Sequence, residues 1–341
     1  MEVFELKVDN TKQLAIKTSK VLASGGVAII PTDTVYGIVC DGLNIKAKEK
    51  IFSIKKRSYE KPLIGFVDKV NKAERFAYMP QYALSFIRKR WPGATTFIFK
   101  SRENLEYMVT GDGKVAFRIP NYDFIREVTK HFEVVASTSA NISGENNPIS
   151  VEEMPDTLKK MADIVISAGD IERNPSALWD VTKKTPCLLR GKILFVCLGN
   201  TCRSPIAEYL LKEMLKNAGI QIRVESAGLG ISHESTADPL AYIAMAEKGI
   251  DMGDFVSRQL TSYMAKNFDL IYVMEEAHRN KVLLRFPNAE DKVTVLGVED
   301  PFGESLDFYR RITEKISLLI KEVVLPRLCC YESVTKDNPL L

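Results

Sequence analysis

The segment Lys192–Cys197, reading KILFVC, constrains this chain more than any other. Five apolar residues follow Lys192 without a polar break, which predicts a strand buried on both faces. It runs into Leu198, Gly199 and Asn200, and a helix is expected to open at Ser204 and Pro205. Such a strand–loop–helix must be covered above and below, so it predicts an α/β domain. Strand-like and helix-like segments already alternate upstream and then restart near Gly191, with almost no linker. The expectation is two domains, 1–190 and 191–328, followed by a tail over 329–341. A length of 341 residues agrees, at about 150 residues per domain.

Charge separates the halves. Residues 1–190 carry 29 Lys+Arg against 23 Asp+Glu, a net of +6, and residues 191–341 carry 18 against 21, a net of −3. The basic half suits polyanionic ligands or RNA. Six cysteines in so long a chain form no disulfide framework and no zinc spacing. No secretory signal and no apolar run long enough to span a bilayer is found, so no membrane partner is expected. A reducing cytoplasm is the expected setting. His131, His233 and His278 lie in no catalytic context and are expected at the surface.

Further strands are predicted at Val27–Pro31, Leu63–Val67, Thr95–Lys100, Val115–Ile119, Val134–Ser137, Ile164–Ser167, Arg223–Ser226, Leu270–Met274 and Lys292–Leu296. Helices are predicted at Ala47–Arg57, Tyr82–Arg90, Phe124–Phe132, Pro239–Lys248, Glu276–Arg285 and Phe308–Val324. The tail from Cys329 has no periodicity and is expected to fray.

The strongest chemistry lies in the loop after Lys192–Cys197. Cys197 and Arg203 stand six apart, a weak signal alone, but the context strengthens it. Gly199 and Asn200 tolerate backbone angles that turn successive N–H groups inward, making an anion nest. Ser204 as N-cap and Pro205 as first helical residue would aim a helix N-terminus at the same pocket. Leu198, Gly199, Asn200, Thr201, Cys202 and Ser204 are thus candidate phosphate-binding residues. That setting favours the Cys197 thiolate, and Arg203 can hold two phosphoryl oxygens with its planar fork. The competing reading is a buried core cysteine at a strand end.

In the first half, PTDTVYGI (31–38), IKKRSYEKPL (54–63) and STSANISG (137–144) stand out. Basic residues among small hydroxyls suit a polyphosphate, with Lys55, Arg57 and Lys61 supplying charge and Arg118 and Arg190 two more cations. No G-x4-G-K-[ST] loop is present, so a nucleotide site would not be of the Walker type. On the residues alone, a solvated helix end and a polar loop explain these clusters as well.

These motifs carry two resemblances. VCLGNTCRSP at 196–205, Ser226-Ala227-Gly228 and Asp300-Pro301-Phe302-Gly303 resemble the low-molecular-weight protein-tyrosine-phosphatase family, across essentially all of 191–325. The resemblance implies a doubly wound parallel sheet, phosphocysteine formation at Cys197, and Asp300 as proton donor and later base. It also implies that Cys202 can pair reversibly with Cys197; a loop-packing residue is the alternative. Thr201 and the single Phe302 look like the protein-arginine-phosphatase branch. A hydroxyl can bond a guanidinium where an isoleucine would leave its N–H groups unpaired.

Residues 10–191 resemble the YrdC-type threonylcarbamoyl-AMP synthases, through PTDTVYG, Lys55-x-Arg57, Lys61-Pro62-Leu63, Arg118-Ile119-Pro120, Ser139-Ala140-Asn141, Pro175-Ser176 and Leu189-Arg190-Gly191. This implies a twisted mixed sheet with helices and formation of threonylcarbamoyl-AMP and pyrophosphate from L-threonine, bicarbonate and ATP. That reaction serves tRNA threonylcarbamoyladenosine synthesis, with tRNA and the transfer machinery as partners. By position, Arg57, Lys61, Ser139, Asn147 and Arg190 would bind ATP, with Lys55 supporting its phosphates. Thr34, Arg118, Ser137 and Ser176 would hold threonine, and Mg²⁺ would accompany the phosphates. Departures are Phe66 for His, Asn147 for Ser, and Ala177 for Thr. The phosphatase resemblance implies a phosphoprotein substrate and no cofactor for the second half. Two competing readings are a non-synthase RNA- or nucleotide-binding module in the first half and a phosphotyrosine phosphatase in the second; a third keeps the second half only as a phospho-anion sensor.

Overall fold

A mixed sheet and a parallel sheet organise the computed structural model, which describes residues 2–172, 174–217, 222–231 and 233–329. Contacts divide the chain into two units, Met1–Pro186 and Cys187–Leu341.

The strands of the first unit are β1 (Val3–Glu5), β2 (Ala28–Ile30), β3 (Gly37–Asp41), β4 (Ile64–Phe66), β5 (Ala77–Tyr78), β6 (Thr95–Ser101), β7 (Lys114–Arg118), β8 (Val135–Ser139), β9 (Ile164–Ser167) and β10 (Ala177–Asp180). Between them run α1 (Thr11–Ala23), α2 (Ile45–Lys55), α3 (Val70–Phe76), α4 (Leu84–Arg88), α5 (Asp123–Thr129) and α6 (Asp156–Met161). Within this unit the sheet order is β1-β9-β2-β3-β8-β4-β7-β6-β10, with β5 added to β6. Parallel pairs such as β4 with β7 mix with antiparallel pairs such as β3 with β8. β2 and β9 are buried along their whole length, as their unbroken apolar runs require. Leu14 and Leu22 of α1 and Val128 of α5 pack on Ala28, Val39 and Ile164 to make the core.

Asn44 caps α2 by accepting from the Ala47 N–H at 3.0 Å. The helix ends where Lys56 turns left-handed, at φ 50°. This turn separates Lys55, inside, from Arg57, on the following loop. The expected helices at Tyr82–Arg90 and Phe124–Phe132 are shorter than predicted, because their ends are 3-10 or irregular turns. No element was expected at α1, β1, β3, α3, β5, α6 or β10.

In the second unit, β11 (Cys187–Arg190) carries the chain in and Gly191 separates it from β12 (Lys192–Cys197). There follow α7 (Arg203–Asn217), β13 (Arg223–Gly228), α8 (Pro239–Ala246), α9 (Ser262–Asn267), β14 (Leu270–Val273), α10 (Glu276–Arg285), β15 (Val293–Val295) and α11 (Leu306–Leu319). The order β13-β12-β14-β15 is parallel throughout. β12 is central and buried from Ile193 to Cys197, with Phe195 stacked on Tyr272 at 5.6 Å. Ile206, Leu210, Leu211 and Met214 of α7 are buried. Such sheets place their ligand crevice beyond the carboxyl ends of the central strands, where the strand order reverses. Here that point is the end of β12.

Two expectations change. Cys187 and Cys329 are joined in a disulfide across 142 residues of sequence. No spacing rule reveals it, because the two thiols meet only through the Leu188–Leu328 bridge and the Cys329 N–H bond to Leu188 O. The rest of the tail expected to fray, 330–341, lies outside the described residues. His278, expected at the surface, is buried, since it sits in the first turn of α10 facing inward.

Candidate functional site

β12 delivers Cys197 to the floor of a hollow of about 260 Å³ whose lining includes Leu198, Thr201, Arg203, Asp300 and Phe302. Asn200 is left-handed at φ 53°, which points its N–H back to the Cys197 Sγ at 3.2 Å. Gly199 is not left-handed, so Asn200 alone makes the turn. The Asn200 side chain is locked by donating to Ser204 Oγ (2.9 Å) and Ser226 Oγ (2.8 Å) and accepting from the Arg258 N–H (2.9 Å). Ser226 passes its own proton to Glu208 at 2.6 Å, and Glu208 is paired with Lys212.

This network decides the role of Ser204. α7 begins one residue earlier than expected, at Arg203, so Ser204 is not the N-cap. Its oxygen already accepts from Asn200, so its O–H is the donor left for Cys197 Sγ, 3.0 Å away. Two donors thus face the sulfur. Cys202 is also buried, 3.4 Å from the Tyr309 hydroxyl and 3.5 Å from Thr201 Oγ1. Burial pushes its thiol up to about 11, so it stays protonated.

Arg203 is buried beneath the hollow. Its Nη2 donates to Asp300 Oδ2 at 2.5 Å, and its Nη1 donates to Val298 O at 3.0 Å and to Glu275. Glu275 is the functional residue that sequence reasoning missed. It occupies the N-cap position of α10 without capping it, because its carboxylate is turned to Arg203. A capping position carrying an acid just after a buried strand was the available signal. His278, one turn on, is pushed down by burial and then by the Arg203 charge, and so stays neutral. Phe302 is 74% exposed and stands as a free wall at the rim.

In the first unit the expected residues fall into two groups. Around Arg118, at the end of β7, Nη1 donates to Thr34 Oγ1 (2.8 Å), Nη2 to Asp33 Oδ1 (2.5 Å) and Nε to Gly93 O (3.0 Å). Burial pushes the guanidinium down and Asp33 opposes that. Ser137 in β8 is on the same side: a side chain at Gly37 would come within 3.4 Å of its hydroxyl and 3.8 Å of Thr32. Thr32 in turn bonds Thr34 at 3.1 Å. Ser176 hydrogen-bonds Thr96 at 2.8 Å, and Ala177 N reaches Ala94 O beside Gly93.

The second group surrounds Lys55. Its ammonium, buried, donates to Asn141 O (2.6 Å), to Asn141 Oδ1 (3.0 Å) and to Ser139 O. Ser139 Oγ adds a bond to Asn141 Oδ1 at 2.6 Å. The lysine expected to support phosphates therefore spends its three donors on the loop beyond β8. Burial, with a smaller contribution from Arg57, pushes it down to about 7. Arg57 donates to Lys61 O (2.6 Å) and Pro62 O (3.1 Å), closing its loop, while the Lys61 side chain is exposed. Asn147 lines a hollow of about 360 Å³ with Asn141, Glu145 and Glu153. Arg190, at the end of β11, lies in the second unit and is exposed.

Residues 20–191 match the Sua5/YciO/YrdC family model, described as telomere recombination. Residues 192–338 match the model of the low molecular weight phosphotyrosine protein phosphatases. A threonylcarbamoyl-AMP synthase of Pseudoalteromonas translucida is 34% identical over 137 residues, 39% of this chain and 73% of that protein. A protein-arginine-phosphatase of Bacillus subtilis is 36% identical over 140 residues, 38% of this chain and 93% of that protein. The crystal structure of Escherichia coli YciO shares the first unit's fold, with a TM-score of 0.51 and 21% identity, covering 55% of this chain and 94% of that one.

Proposed function

Since this chain belongs to the Sua5/YciO/YrdC family through its first half and to the low molecular weight phosphatases through its second, we propose that it is a bifunctional enzyme, a threonylcarbamoyl-AMP synthase joined at Gly191 to a cysteine-dependent protein phosphatase. The observation that carries the phosphatase reading is the pair of donors on Cys197 Sγ beside the buried Arg203 and the rim carboxylate of Asp300. Cys197 Sγ attacks phosphorus, the leaving group departs with a proton from Asp300, and Asp300 then takes a proton from the water that hydrolyses the phosphocysteine. A phosphoryl oxygen replaces Asp300 on Arg203 Nη2, and the released, solvent-facing carboxylate takes up a proton from water before giving it to the leaving group.

We take phosphoarginine as the preferred substrate, because Thr201 lines the hollow with a hydroxyl able to accept a guanidinium N–H. Turnover of an aryl phosphate is expected to vanish in Cys197→Ser. Thr201→Ile is expected to shift preference from phosphoarginine toward phosphotyrosine peptides; an unchanged ratio would sink the argument from Thr201.

For the first half, threonine binding at Thr34, Arg118, Ser137 and Ser176 is supported by the hydroxyls near the buried Arg118, and ATP binding at Lys55, Arg57, Lys61, Ser139 and Asn147 is supported by the family match. The assay is pyrophosphate release requiring both L-threonine and bicarbonate; none from folded protein would favour a nucleotide- or RNA-binding module. Among the described residues no cluster of three His, Cys, Asp or Glu forms a metal site. Mg²⁺ is proposed to accompany the phosphates of ATP. tRNA is proposed as the eventual recipient of the product, and the cytoplasm as the setting. No helix among the described residues is long and apolar enough to cross a membrane.

A further inference from the structure

The PTDTVYG motif contains an acid to which neither activity has yet given work. Asp33 lies between Thr32 and Thr34 in the turn after β2, with its side chain 14% exposed. One oxygen accepts from Arg118 Nη2, and the other accepts from the Asn121 N–H at 2.9 Å. Arg118 itself is 2% exposed and lies 5.8 Å from the Phe66 ring. A single guanidinium and its carboxylate thus tie together the turn after β2, the loop at Gly93 and the loop after β7.

We propose that Asp33 is a positioning residue for the synthase reaction, holding Arg118 and, through it, the Thr34 hydroxyl in register to receive the carboxylate of L-threonine. This rests on reading the first half as a synthase with threonine at Arg118. A guanidinium so deeply buried is stable only with a counter-charge in good geometry. Asp33 supplies it while the amino acid is absent. It occupies Nη2 in the ligand-free chain, while Nε is fixed by Gly93 O, so the plane of the fork is set before substrate arrives. A bidentate grip on a carboxylate depends on that plane. The second Asp33 oxygen, on Asn121 N, keeps the acid from following the guanidinium when a substrate carboxylate competes for it. The surroundings of ATP at Arg57 and Ser139 are built on Lys55 and Asn141 instead, so the effect should fall on one substrate.

The experiment is steady-state pyrophosphate release by the full chain, with L-threonine and ATP varied separately, in wild type, Asp33→Asn, Asp33→Glu, Arg118→Lys and Asp33→Asn combined with Arg118→Lys. Asp33→Asn is expected to raise KM for threonine about tenfold or more, with KM for ATP within about twofold of wild type. Asp33→Glu should recover part of the loss, and the double variant should lose less than the sum of the single effects. A threonine KM in Asp33→Asn within roughly twofold of wild type would overturn the proposal. So would equal rises in both KM values with a lowered unfolding midpoint. A wild-type chain that releases no pyrophosphate would overturn the synthase reading and this role with it, whereas normal wild-type turnover with an indifferent Asp33→Asn removes the role of Asp33 alone.

Discussion

Asn200 and Glu275 illustrate how much single side chains do here. Asn200 turns the loop by its backbone and holds it by its amide, and the bond it gives Ser204 frees the serine proton for Cys197. Glu275 accepts from Arg203 Nη1, while Asp300 accepts from Nη2 at the rim of the hollow. Glu275→Ala should therefore leave Arg203 misplaced by part of an ångström, and turnover of an aryl phosphate should fall by roughly 10²-fold. Glu275→Gln, which keeps an acceptor, should lose less. A thermal melt matching wild type would confirm that the loss is local, and full activity in Glu275→Ala would show that Asp300 and Val298 O suffice. Cys197 and Arg203 were singled out by the loop pattern and Asp300 only by the family resemblance, and the structure brings the three side chains to one hollow. Glu275 lies in none of the motifs, and its contact to Arg203, across 72 positions, follows from the fold.

Between elements, the connection from the end of α2 to the loop after β8 is made by Lys55, with Ser143 N also bonding Lys55 O. The amino-acid pattern predicted α2 and most of β8, but not the contacts of Lys55 with Ser139 and Asn141. Periodicity puts a residue on a helix face; it does not say which loop that face meets. The buried ammonium has a pH consequence. Its value in the folded chain, about 7, lies below the unfolded value of about 10.4. Between those values the unfolded chain binds more protons at this site, so its contribution to stability rises with pH across the window and is smallest below about 7. The denaturation midpoint of wild type, compared with Lys55→Met from pH 6 to 10, should show the steeper rise in wild type. Parallel curves would mean that Lys55 does not titrate there.

Across the whole molecule, the Cys187–Cys329 disulfide closes 142 residues, nearly the full second unit, into one loop. Restricting the unfolded chain over that length is worth about 5 kcal/mol in the chain-entropy view. Reductant should lower the unfolding midpoint of wild type but not of Cys187→Ser/Cys329→Ser, and peptide mapping without reductant should recover the pair. Alkylation of both cysteines in unreduced protein would refute the bond. This is also the scale at which the amino-acid pattern and the tertiary structure divide their authority. The restart at Gly191, the opposite charges of the halves, the α/β class and the order of motifs all follow from local composition and period, because strands and helices announce their own burial. Which buried cation serves a ligand and which serves a loop followed only from packing. Arg118, Lys55 and Arg203 are alike as charges in a sequence; the carboxylates and carbonyls that neutralise them come from segments up to 97 residues away.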